Sequence, residues 1–471
     1  MKMPPEFQAR LTVGIHKTTR KEIPMARTLV VVLGFFLVIP VAAFGATVTV
    51  GPSDCSVTAV NAAIAAANSG DVINLTCTGT VTWAGTVLIP STKGLTIQGP
   101  GNNTPKASAA FPLIISATNG AYVPIVVNCK NNMPLSRITG LQFQGVSSGV
   151  PYIQVLGEGL GTTGIGAYRI DNCYFDTLGS EPVIQLNGSN GELTGLIDDC
   201  TFHNCSYDNY NIQVRETNTA GCLPGCYGCN SWTRPFNFGD AHFHFVEDCL
   251  FEQLTQYNRH MVSCDGSGGR YVVRYCTLNS QVSGTSPDYI DAHGDGTEGL
   301  GVGTRGGEIY SNTFLGTSAS VGRNIVLRGG QFLVYNNTFT TTGYIPTPVY
   351  LNEYRADVSG PDGGSCTELQ NPSACNPGVP QCATPSYFST WYPLPGQIRG
   401  TYLWNNILGG VNQSPTIEPD SYVSQYIQAN RDFWVSTSQP SALSGYTPYP
   451  YPHPLRQAVT ISPPTGLHVI Q

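Results

Sequence analysis

The stretch IDNCYF at residues 170–175 decides the fold, because the same physical pattern recurs six more times. The pattern is an aliphatic residue, a variable residue, a mostly polar residue, Cys or Asn, one further residue, and Phe or Leu. The other copies are IDDCTF (197–202), VEDCLF (246–251), VRYCTL (273–278), IYSNTF (309–314), VYNNTF (334–339) and LWNNIL (403–408). Such self-similarity indicates a solenoid, in which each repeat packs on its neighbours.

A second, weaker repeat alternates with the first. It has four residues, of which the first and third are apolar: IQLN (184–187), IQVR (212–215), VSCD (262–265), IDAH (290–293), IVLR (325–328) and VYLN (349–352). These β-branched segments are separated by Gly, Asn, Ser and Thr, which is typical of short strands joined by tight corners. No long segment has helical periodicity, so leucine-rich and paired-helix repeats fit poorly.

The spacing of the first repeat predicts the turns of a parallel β-helix. The interval from residue 309 to residue 334 corresponds to one turn, whereas the longer interval from 197 to 246 is either two turns or one turn with an insertion. The fourth members of the pattern are expected to stack from turn to turn. Asn312, Asn337 and Asn406 would then form an amide ladder, and the same slot would hold Cys173, Cys200, Cys249 and Cys276.

Both ends of the predicted solenoid carry covering segments. Residues 56–67 (SVTAVNAAIAAA) form a short helix that Asn-Ser-Gly ends, and Cys55 and Cys77 flank it as candidates for a disulfide. Proline prevents GYTPYPYPHPL (445–455) from forming helix or central strand, so this tail is expected to pack along the outside or to cover the far end. The predicted fold is all-β: a right-handed parallel β-helix with a short N-terminal α-helical cap.

Length, composition and charge limit the domain organisation and the classes of partner that the chain can have. The chain has 471 residues, a formal net charge of −7 and only 11% charged residues, with no basic run after residue 27, so it offers no support for nucleic-acid binding. We expect one elongated domain. The predicted limits are 1–46 for an N-terminal extension and signal peptide with Met25 as the expected start, 47–455 for the β-helix with loop excursions near 217–240 and 355–400, and 456–471 for a tail.

Residues 25–46 (MARTLVVVLGFFLVIPVAAFGA) predict export. They place a basic residue before an apolar run and small residues, which is the order of a secretory signal peptide; a retained membrane anchor is the alternative. We expect an extracellular or periplasmic protein without stable membrane insertion after signal cleavage. All 15 cysteines follow this segment, as suits an oxidising compartment. CLPGCYGC (222–229) and the segment 366–382 are interpreted as disulfide-pinned loops, with zinc binding as the alternative.

The second repeat also predicts a functional surface. Side chains alternate along a strand, so its second and fourth members point away from the core. The fourth members form the row Asn187, Arg215, Asp265, His293, Arg328 and Asn352, and the second members form the row Gln185, Gln213, Ser263, Asp291, Val326 and Tyr350. Neighbours in a row lie about 4.8 Å apart. Asp265, His293 and Arg328 are therefore consecutive if their strands belong to successive turns.

These groups suit chemistry on an acidic polysaccharide. Removing the proton beside a uronate carboxylate requires a cation that neutralises the carboxylate, a base, and an acid for the leaving oxygen. We assign catalysis to His293, Asp265, Arg328 and Asp291, with His293 as the proton-transfer group. Substrate binding is assigned to Arg215, Asn187, Glu353 and Arg355, because arginine forks bind carboxylates. Polysaccharide is the predicted partner.

Other interpretations of the same residues stay open. A glycosidase would use Asp265 and Asp291 as its two carboxylates, and a row of charges can also merely solvate a surface. No residue is assigned to a metal, and no cofactor is assigned; a calcium ion is the candidate that Asp265, Asp291, Asp295 or Glu308 could bind. His242 and His244 share one strand face, where packing is favoured over metal binding.

The chain resembles the pectate-lyase-like right-handed parallel β-helix superfamily over residues 50–455. The resemblance rests on AVNAAIAAANSGDVINL, VLIPSTKGLTIQG, EIYSNTF and FLVYNNTF. It is similar to exported bacterial β-helix proteins without an assigned activity in RYVVRYCTL, IDAHG, LRGG, QIRGTYLWNN, NRDFW and GYTPYPYPHPL. IDAHGD resembles the Asp-x-His element of alginate epimerases without its usual Pro, and no full lyase motif maps onto the chain.

The resemblance implies the fold and leaves several activities open, because the superfamily includes lyases, hydrolases, epimerases and non-catalytic adhesins. The residues favour an exported polysaccharide lyase that cleaves uronate-containing polysaccharide by β-elimination. The alternatives are a glycoside hydrolase or epimerase on the same scaffold, and a non-catalytic surface or adhesion protein.

Overall fold

The computed structural model describes most of the chain between residues 45 and 457. The described residues are 45–104, 106, 111–117, 122–131, 133–145, 150–157, 165–176, 179, 182–188, 192–205, 207–216, 231, 235–254, 258–264, 268–282, 288–293, 304–316, 323–341, 347–352, 398–418 and 427–457. The predicted signal peptide and the two cysteine-rich segments lie outside them, and the predicted domain limits and export stay predictions. Over the described ranges, no helix is long and apolar enough to cross a bilayer.

Three long sheets contain all the strands of the described residues, and every pairing is parallel except that of Ile407–Leu408 with Val411–Asn412. Sheet A consists of β1 (Thr47–Val50), β2 (Val72–Leu75), β5 (Thr96–Gln98), β8 (Ser136–Thr139), β11 (Ile165–Asp171), β14 (Glu192–Asp198), β17 (His244–Glu247), β20 (Arg270–Arg274), β23 (Gly306–Tyr310), β26 (Gln331–Tyr335), β29 (Thr401–Trp404) and β33 (Phe433–Ser436). Sheet B consists of β3 (Gly79–Trp83), β6 (Leu113–Ala117), β9 (Gln142–Gly145), β12 (Tyr174–Asp176), β15 (Thr201–His203), β18 (Leu250–Gln253), β21 (Thr277–Ser280), β24 (Thr313–Gly316), β27 (Thr338–Thr341), β30 (Ile407–Leu408) and β31 (Val411–Asn412).

Sheet C carries the second repeat. It consists of β4 (Val87–Ile89), β7 (Ile125–Cys129), β10 (Ile153–Gly157), β13 (Ile184–Asn187), β16 (Tyr207–Arg215), β19 (Asn258–Cys264), β22 (Asp288–Ala292), β25 (Arg323–Leu327), β28 (Thr347–Leu351) and β32 (Thr416–Ile417). From β8 onward the chain visits sheets A, B and C in turn, and each strand pairs with the equivalent strand of the next turn. The predicted right-handed parallel β-helix is confirmed.

The pairing also resolves the irregular intervals. Ile197 of β14 pairs directly with Val246 of β17, so the interval between them is one turn with an insertion. Val334 of β26 likewise pairs directly with Leu403 of β29. The stack of strands therefore continues without an intervening turn across both long intervals.

The predicted N-terminal cap is confirmed as helix α1 (Val57–Ala66). Ser56 caps it by accepting a hydrogen bond from the backbone N–H of Ala59 through its side chain. The expected disulfide between Cys55 and Cys77 is present and ties the start of the helix to the end of β2. The cap therefore covers the first turn, where the stack would otherwise be open.

The first repeat spans the corner between sheet A and sheet B. Its third member has a left-handed backbone in all seven copies, with φ of 52° at Asn172, 51° at Asp199, 50° at Asp248, 57° at Tyr275, 56° at Ser311, 55° at Asn336 and 51° at Asn405. Asn and Asp tolerate this conformation better than most residues, which explains the polar preference at this position. One turn earlier, ITGLQF (138–143) makes the same corner with Gly140.

The fourth and sixth members of the repeat fill the core. The amide ladder is confirmed: Asn312 Nδ2 donates to Asn337 Oδ1 (3.1 Å), and Asn337 Nδ2 donates to Asn406 Oδ1 (2.9 Å). In the preceding turns the slot holds buried thiols. The rings of the sixth members stack beside this slot in the pairs Phe143–Phe175, Phe175–Phe202, Phe202–Phe251 and Phe314–Phe339.

Asn337→Ala is expected to lower the free energy of unfolding by about 2–4 kcal/mol, because it leaves buried partners without hydrogen bonds. Asn337 Oδ1 accepts from the backbone and the side chain of Asn312, and Nδ2 also donates to the carbonyl of Ile309. Chemical denaturation would measure the change. Cys200→Ala in the same slot is the control, since it removes packing with few hydrogen bonds. An equal loss in both variants would contradict the role of the ladder.

The C-terminal tail packs along the outer face of sheet A, which is one of the two predicted positions. Phe245 of β17 contacts the rings of Tyr449 (centroids 5.1 Å apart) and His453 (4.6 Å). Arg456 binds Asp198 and Asp248 at 2.7 Å each, and also Asp199. A second apolar cluster thus lies under the tail, outside the solenoid core.

Acid is expected to destabilise the tail through His453. Burial, together with Arg274, Arg169 and Arg456, lowers the pKa of His453 to about 3. The unfolded chain therefore binds a proton that the folded chain does not, and stability falls as the pH drops below about 6.5. The loss should reach roughly 1–2 kcal/mol by pH 5.

Thermal unfolding from pH 7 to pH 5 would measure this effect, with His453→Asn as the comparison. An asparagine can still cap the 3₁₀ turn Pro454–Arg456, where His453 Nδ1 accepts from the N–H of Leu455. The variant should lose less stability than the wild type over this range. An identical pH dependence in both proteins would contradict the assignment to His453.

Candidate functional site

The outward face of sheet C brings together residues from three consecutive turns. Val262 of β19 pairs with Ile290 of β22, which pairs with Ile325 of β25. The predicted register is therefore confirmed for these turns. His293 follows directly after β22, and Arg328 follows directly after β25, so both lie at the same edge of the sheet.

Asp291 is the centre of this group. Its Oδ2 lies 2.6 Å from His293 Nε2, and its Oδ1 lies 3.1 Å from Arg328 Nε. The side chains point away from the solenoid core, as predicted, yet they are not solvated: Asp291 is fully buried, His293 is 7% exposed and Arg328 is 6% exposed. The side chains therefore point away from the core, but they are buried and not exposed to solvent.

A second carboxylate completes the charge balance. Arg323 binds Asp288 through two hydrogen bonds of 2.7 Å, and Arg328 Nη2 donates to Asp288 Oδ2 at 3.2 Å. Arg328 therefore contacts both carboxylates, whereas Arg323 binds Asp288. Burial alone would raise the pKa of Asp291, but Arg328, His293 and His260 hold it below the ordinary value, whereas burial raises the pKa of Asp288.

His260 is a member of the site that the sequence analysis missed. Its Nδ1 donates to the backbone carbonyl of Asp288 (3.1 Å), and its Nε2 lies 3.6 Å from Asp291 Oδ2. The ring stacks on Tyr210 with centroids 5.3 Å apart and meets the His293 ring edge-on at 5.8 Å. Burial lowers the pKa of His260 to about 3, so the imidazole is neutral at physiological pH.

A recurring backbone irregularity explains why His260 was missed. Strict alternation from Val262 places residue 260 in the core, but both Met261 and Val262 are core residues, as are Tyr289 and Ile290 one turn later. The same irregularity occurs at the start of β10, where the N–H groups of Tyr152 and Ile153 both donate to the carbonyl of Val183. Residues before the second repeat therefore point to the opposite face from the one that strict alternation predicts. The sequence signal that could have identified His260 is the row of polar residues at equivalent positions of successive turns: Tyr210, His260, Asp288 and Arg323.

The remaining outward residues extend the polar face along sheet C. Gln154, Gln185 and Gln213 form a ladder with hydrogen bonds of 2.6 and 2.8 Å. Arg215 and Asn187, the predicted substrate-binding residues, end β16 and β13 and are partly exposed. Strand β16 lies two strands from β22, so Arg215 begins about 10 Å from the cluster.

Several predicted site residues cannot be placed. Asp265, Glu353, Arg355 and Asp295 lie outside the described residues, so their assignments stay predictions. Glu308, a calcium-ligand candidate, belongs to β23 of sheet A and accepts hydrogen bonds from Gly239 N (2.6 Å) and the hydroxyl of Tyr446 (2.5 Å). Glu308 and Asp291 belong to different sheets, so these two calcium-ligand candidates are not neighbours.

His242 and His244 have separate carboxylate partners. His244 is fully buried; its Nε2 donates to Glu216 (2.5 Å), so its Nδ1 accepts from the hydroxyl of Tyr168 (2.9 Å). His242 lies 2.5 Å from Glu192 instead. The two histidines therefore do not converge on one point, and their exclusion from metal binding stays a prediction. Within the described part of the chain, the one group of three converging metal-ligand residues is His260, Asp291 and His293.

Comparisons with known proteins add the following. No protein-family model matches the chain, and no curated protein matches it. A solved structure that is similar is a PL6 family polysaccharide lyase from Pseudopedobacter saltans, with 11% sequence identity, a TM-score of 0.30, and coverage of 84% of this chain and 94% of that chain. A match at this level assigns no activity, so any function has to be argued from the site.

Proposed function

We propose that this chain is an exported polysaccharide lyase that cleaves a uronate-containing polysaccharide by β-elimination on the outward face of sheet C. The observation that supports the proposal is the convergence of His260, Asp291 and His293 with Arg328 within contact distance. Paired imidazoles beside a buried carboxylate suit proton transfer. Export follows from the apolar segment 25–46.

Elimination requires positive charge beside the substrate carboxylate. Arg323 and Arg328 supply two guanidinium groups next to the imidazoles, and both are held in place by Asp288. Charge that is fixed before the substrate arrives stabilises the carbanion-like transition state without reorganisation. The cluster of His260, Asp291 and His293 then carries the proton from the sugar carbon to the leaving oxygen.

Among the described residues, which do not include Asp265, the geometry favours elimination over glycoside hydrolysis. Hydrolysis needs two carboxyl groups that flank the glycosidic bond, one as acid and one as base or nucleophile. Asp288 is bound by two arginines, and Asp291 is in contact with Arg328 and His293. Both carboxylates therefore orient cations, which leaves the imidazoles as the proton carriers.

The polymer is proposed to run along sheet C, across the strands. Arg215 and Asn187 lie on the N-terminal side of the cluster in the same outward row. Arg215 can bind the carboxylate of a sugar that is remote from the cleaved bond, because a guanidinium fork matches a carboxylate. A uronate polymer with several acidic sugars is thus the substrate class that fits.

The test is incubation of the purified protein with a panel of uronate polysaccharides. Elimination produces an unsaturated sugar, so the ultraviolet absorbance of the conjugated product should rise as the polymer shortens. Chain shortening without this absorbance would replace elimination by hydrolysis. A protein that shortens none of the polymers would contradict the proposal.

A non-catalytic surface or adhesion protein is the second candidate function, and the burial of Asp291, His293 and Arg328 favours it. A buried ion-pair network can serve to orient strands rather than to turn over a substrate. This candidate predicts that glycan binding is retained when His293 and Arg328 are replaced, and that no unsaturated product forms in any variant.

A further inference from the structure

We infer that His260, Asp291 and His293 bind a divalent first-row transition-metal ion. We further propose that, when this ion is bound, its water replaces the imidazoles as the carrier of the proton during elimination, and this second part rests on the proposed function. His260 and Asp291 lie on the same face of neighbouring strands β19 and β22, and His293 follows β22 directly.

The donor atoms already converge. One ligand atom from each of His260, Asp291 and His293 lies within 4.8 Å of the other two. The Nε2 atoms of His260 and His293 lie 3.6 and 2.6 Å from Asp291 Oδ2. Zinc and related ions bond to imidazole nitrogen and carboxylate oxygen at about 2.0–2.2 Å, so one ion between these atoms can reach all three. Three protein ligands also leave a coordination position for water, as in catalytic sites.

The surrounding hydrogen bonds orient the donors toward this point. A carbonyl can only accept, so His260 Nδ1 carries the proton that it donates to Asp288 O (3.1 Å), and Nε2 of the neutral ring presents its lone pair. Metal-binding histidines are oriented by such a bond from the other ring nitrogen. Arg328 Nε lies beside Asp291 Oδ1, which leaves Oδ2 facing both imidazoles.

The backbone at the site is anchored as well. Ser263 Oγ donates to the carbonyl of Asp291 (3.0 Å), and Thr304 Oγ1 donates to the carbonyl of His293 (2.9 Å). His260 and Asp291 therefore lie on strands of a sheet, and His293 lies at a corner whose backbone is hydrogen-bonded. Such positions hold ligand atoms more tightly than a loop does.

The carboxylate of Asp291 gives an independent indication of a ligand. Both oxygens are buried, and Arg328 Nε and His293 Nε2 lie 3.1 and 2.6 Å from them, but neither ion pair has the alignment of a hydrogen bond. A buried carboxylate without aligned donors is costly. A cation between Asp291 and the two imidazoles would satisfy it.

The donor set selects the ion. Calcium, magnesium and manganese prefer shells made of oxygen, whereas imidazole suits zinc, copper, iron and nickel. Two imidazoles and one carboxylate therefore indicate the second group. The calcium ion considered from the sequence is not the ion that this set favours.

The proposed step balances without a further reactant. A bound ion favours ionisation of its water, and the resulting hydroxide takes the proton from the carbon that bears the carboxylate. The bond from the neighbouring carbon to the glycosidic oxygen breaks as the carbon–carbon double bond forms. The water produced then returns a proton to the leaving oxygen, which regenerates the hydroxide.

Metal content tests the inference without reference to activity. The purified full chain would be dialysed against metal-free buffer, reloaded with Zn²⁺, Mn²⁺ or Ca²⁺, and analysed by plasma mass spectrometry. We expect zinc to be retained by the wild type in preference to manganese and calcium, lost from His260→Ala and Asp291→Asn, and retained by His203→Ala. His203 is the matched control, since it pairs with Asp176 at 2.9 Å outside the cluster.

Cobalt spectroscopy separates this site from the cysteine-rich segments. Co²⁺ bound by nitrogen and oxygen gives visible bands, and these bands should vanish in Asp291→Asn while circular dichroism shows a native fold. Co²⁺ bound by cysteine would instead give a strong near-ultraviolet thiolate band that the substitutions leave unchanged. Metal bound only in that way, or retention of no transition metal by the wild type, would overturn the inference.

The two proposals fail separately. Elimination that persists in metal-free protein would support the lyase and overturn the metal-dependent step. Metal that binds at His260 and Asp291 without any elimination product would support the metal site and contradict the lyase.

Discussion

Replacing His293 with alanine is expected to slow uronate elimination by about 10²–10⁴-fold, which is the usual contribution of a positioned proton-transfer group. His293 Nε2 lies 2.6 Å from Asp291, so its loss also removes a partner of the buried carboxylate. Arg328→Ala should cost about 10²–10³-fold, because it removes fixed positive charge. Initial rates of product absorbance at several polymer concentrations would give kcat and KM.

Two substitutions serve as controls for this loss. His203→Ala removes a histidine that pairs with Asp176 outside the site, and it should leave both kinetic constants unchanged. Arg215→Ala acts two strands away and should mainly raise KM, because it binds a remote sugar. If His293→Ala turned over substrate at the wild-type rate while folded, the cluster would have no part in the chemistry.

Arg274→Ala is expected to lower the free energy of unfolding by about 3–5 kcal/mol, the cost of breaking a buried ion pair from one side. Arg274 is fully buried and donates to Glu247 through Nε (2.7 Å). It also donates to the carbonyls of Tyr449 (2.6 Å) and Pro450 (2.8 Å) in the tail. The substitution leaves Glu247 buried without its cation and releases the tail.

Urea unfolding and limited proteolysis would measure the two consequences. The variant should unfold at lower urea concentration, and cleavage within residues 437–457 should become faster than in the wild type. Arg431→Ala is the control: Arg431 is 47% exposed, and its partner Asp432 is also bound by Arg399, so the loss should be about 1 kcal/mol or less. Equal stability losses in the two variants would mean that Arg274 does not hold the tail.

The sequence was sufficient for the solenoid, because its information is local and repeated. The corner at each first repeat needs a residue that accepts a left-handed backbone, and Asn172, Asp199 and Asn336 reveal that need directly. The following slot accepts a small buried thiol or a self-pairing amide, which predicted the ladder of Asn312, Asn337 and Asn406. Each repeat stacks on its neighbour, so a periodic pattern determines the register of the whole stack.

The site was predictable in part for the same reason. Periodicity identified Asp291, His293 and Arg328 as neighbours on the outward face of successive turns, and the pairing of β22 with β25 confirms their register. His260 was not predictable by alternation, because consecutive core residues Met261 and Val262 reverse the strand face before the repeat. A one-residue irregularity in the backbone changes which face a side chain occupies.

Tertiary structure alone decided the burial of the site and the position of the tail. Arg274 and Tyr449 are 175 residues apart, and Arg456 is 258 residues from Asp198, so no local pattern connects them. The tail lacks a period of its own, and proline only excluded helix and central strand. Its place on sheet A depends on buried charges and aromatic rings that come together only when the stack has formed. Contacts between such distant residues have no counterpart in local sequence, because their energy is realised only when both sides are already folded.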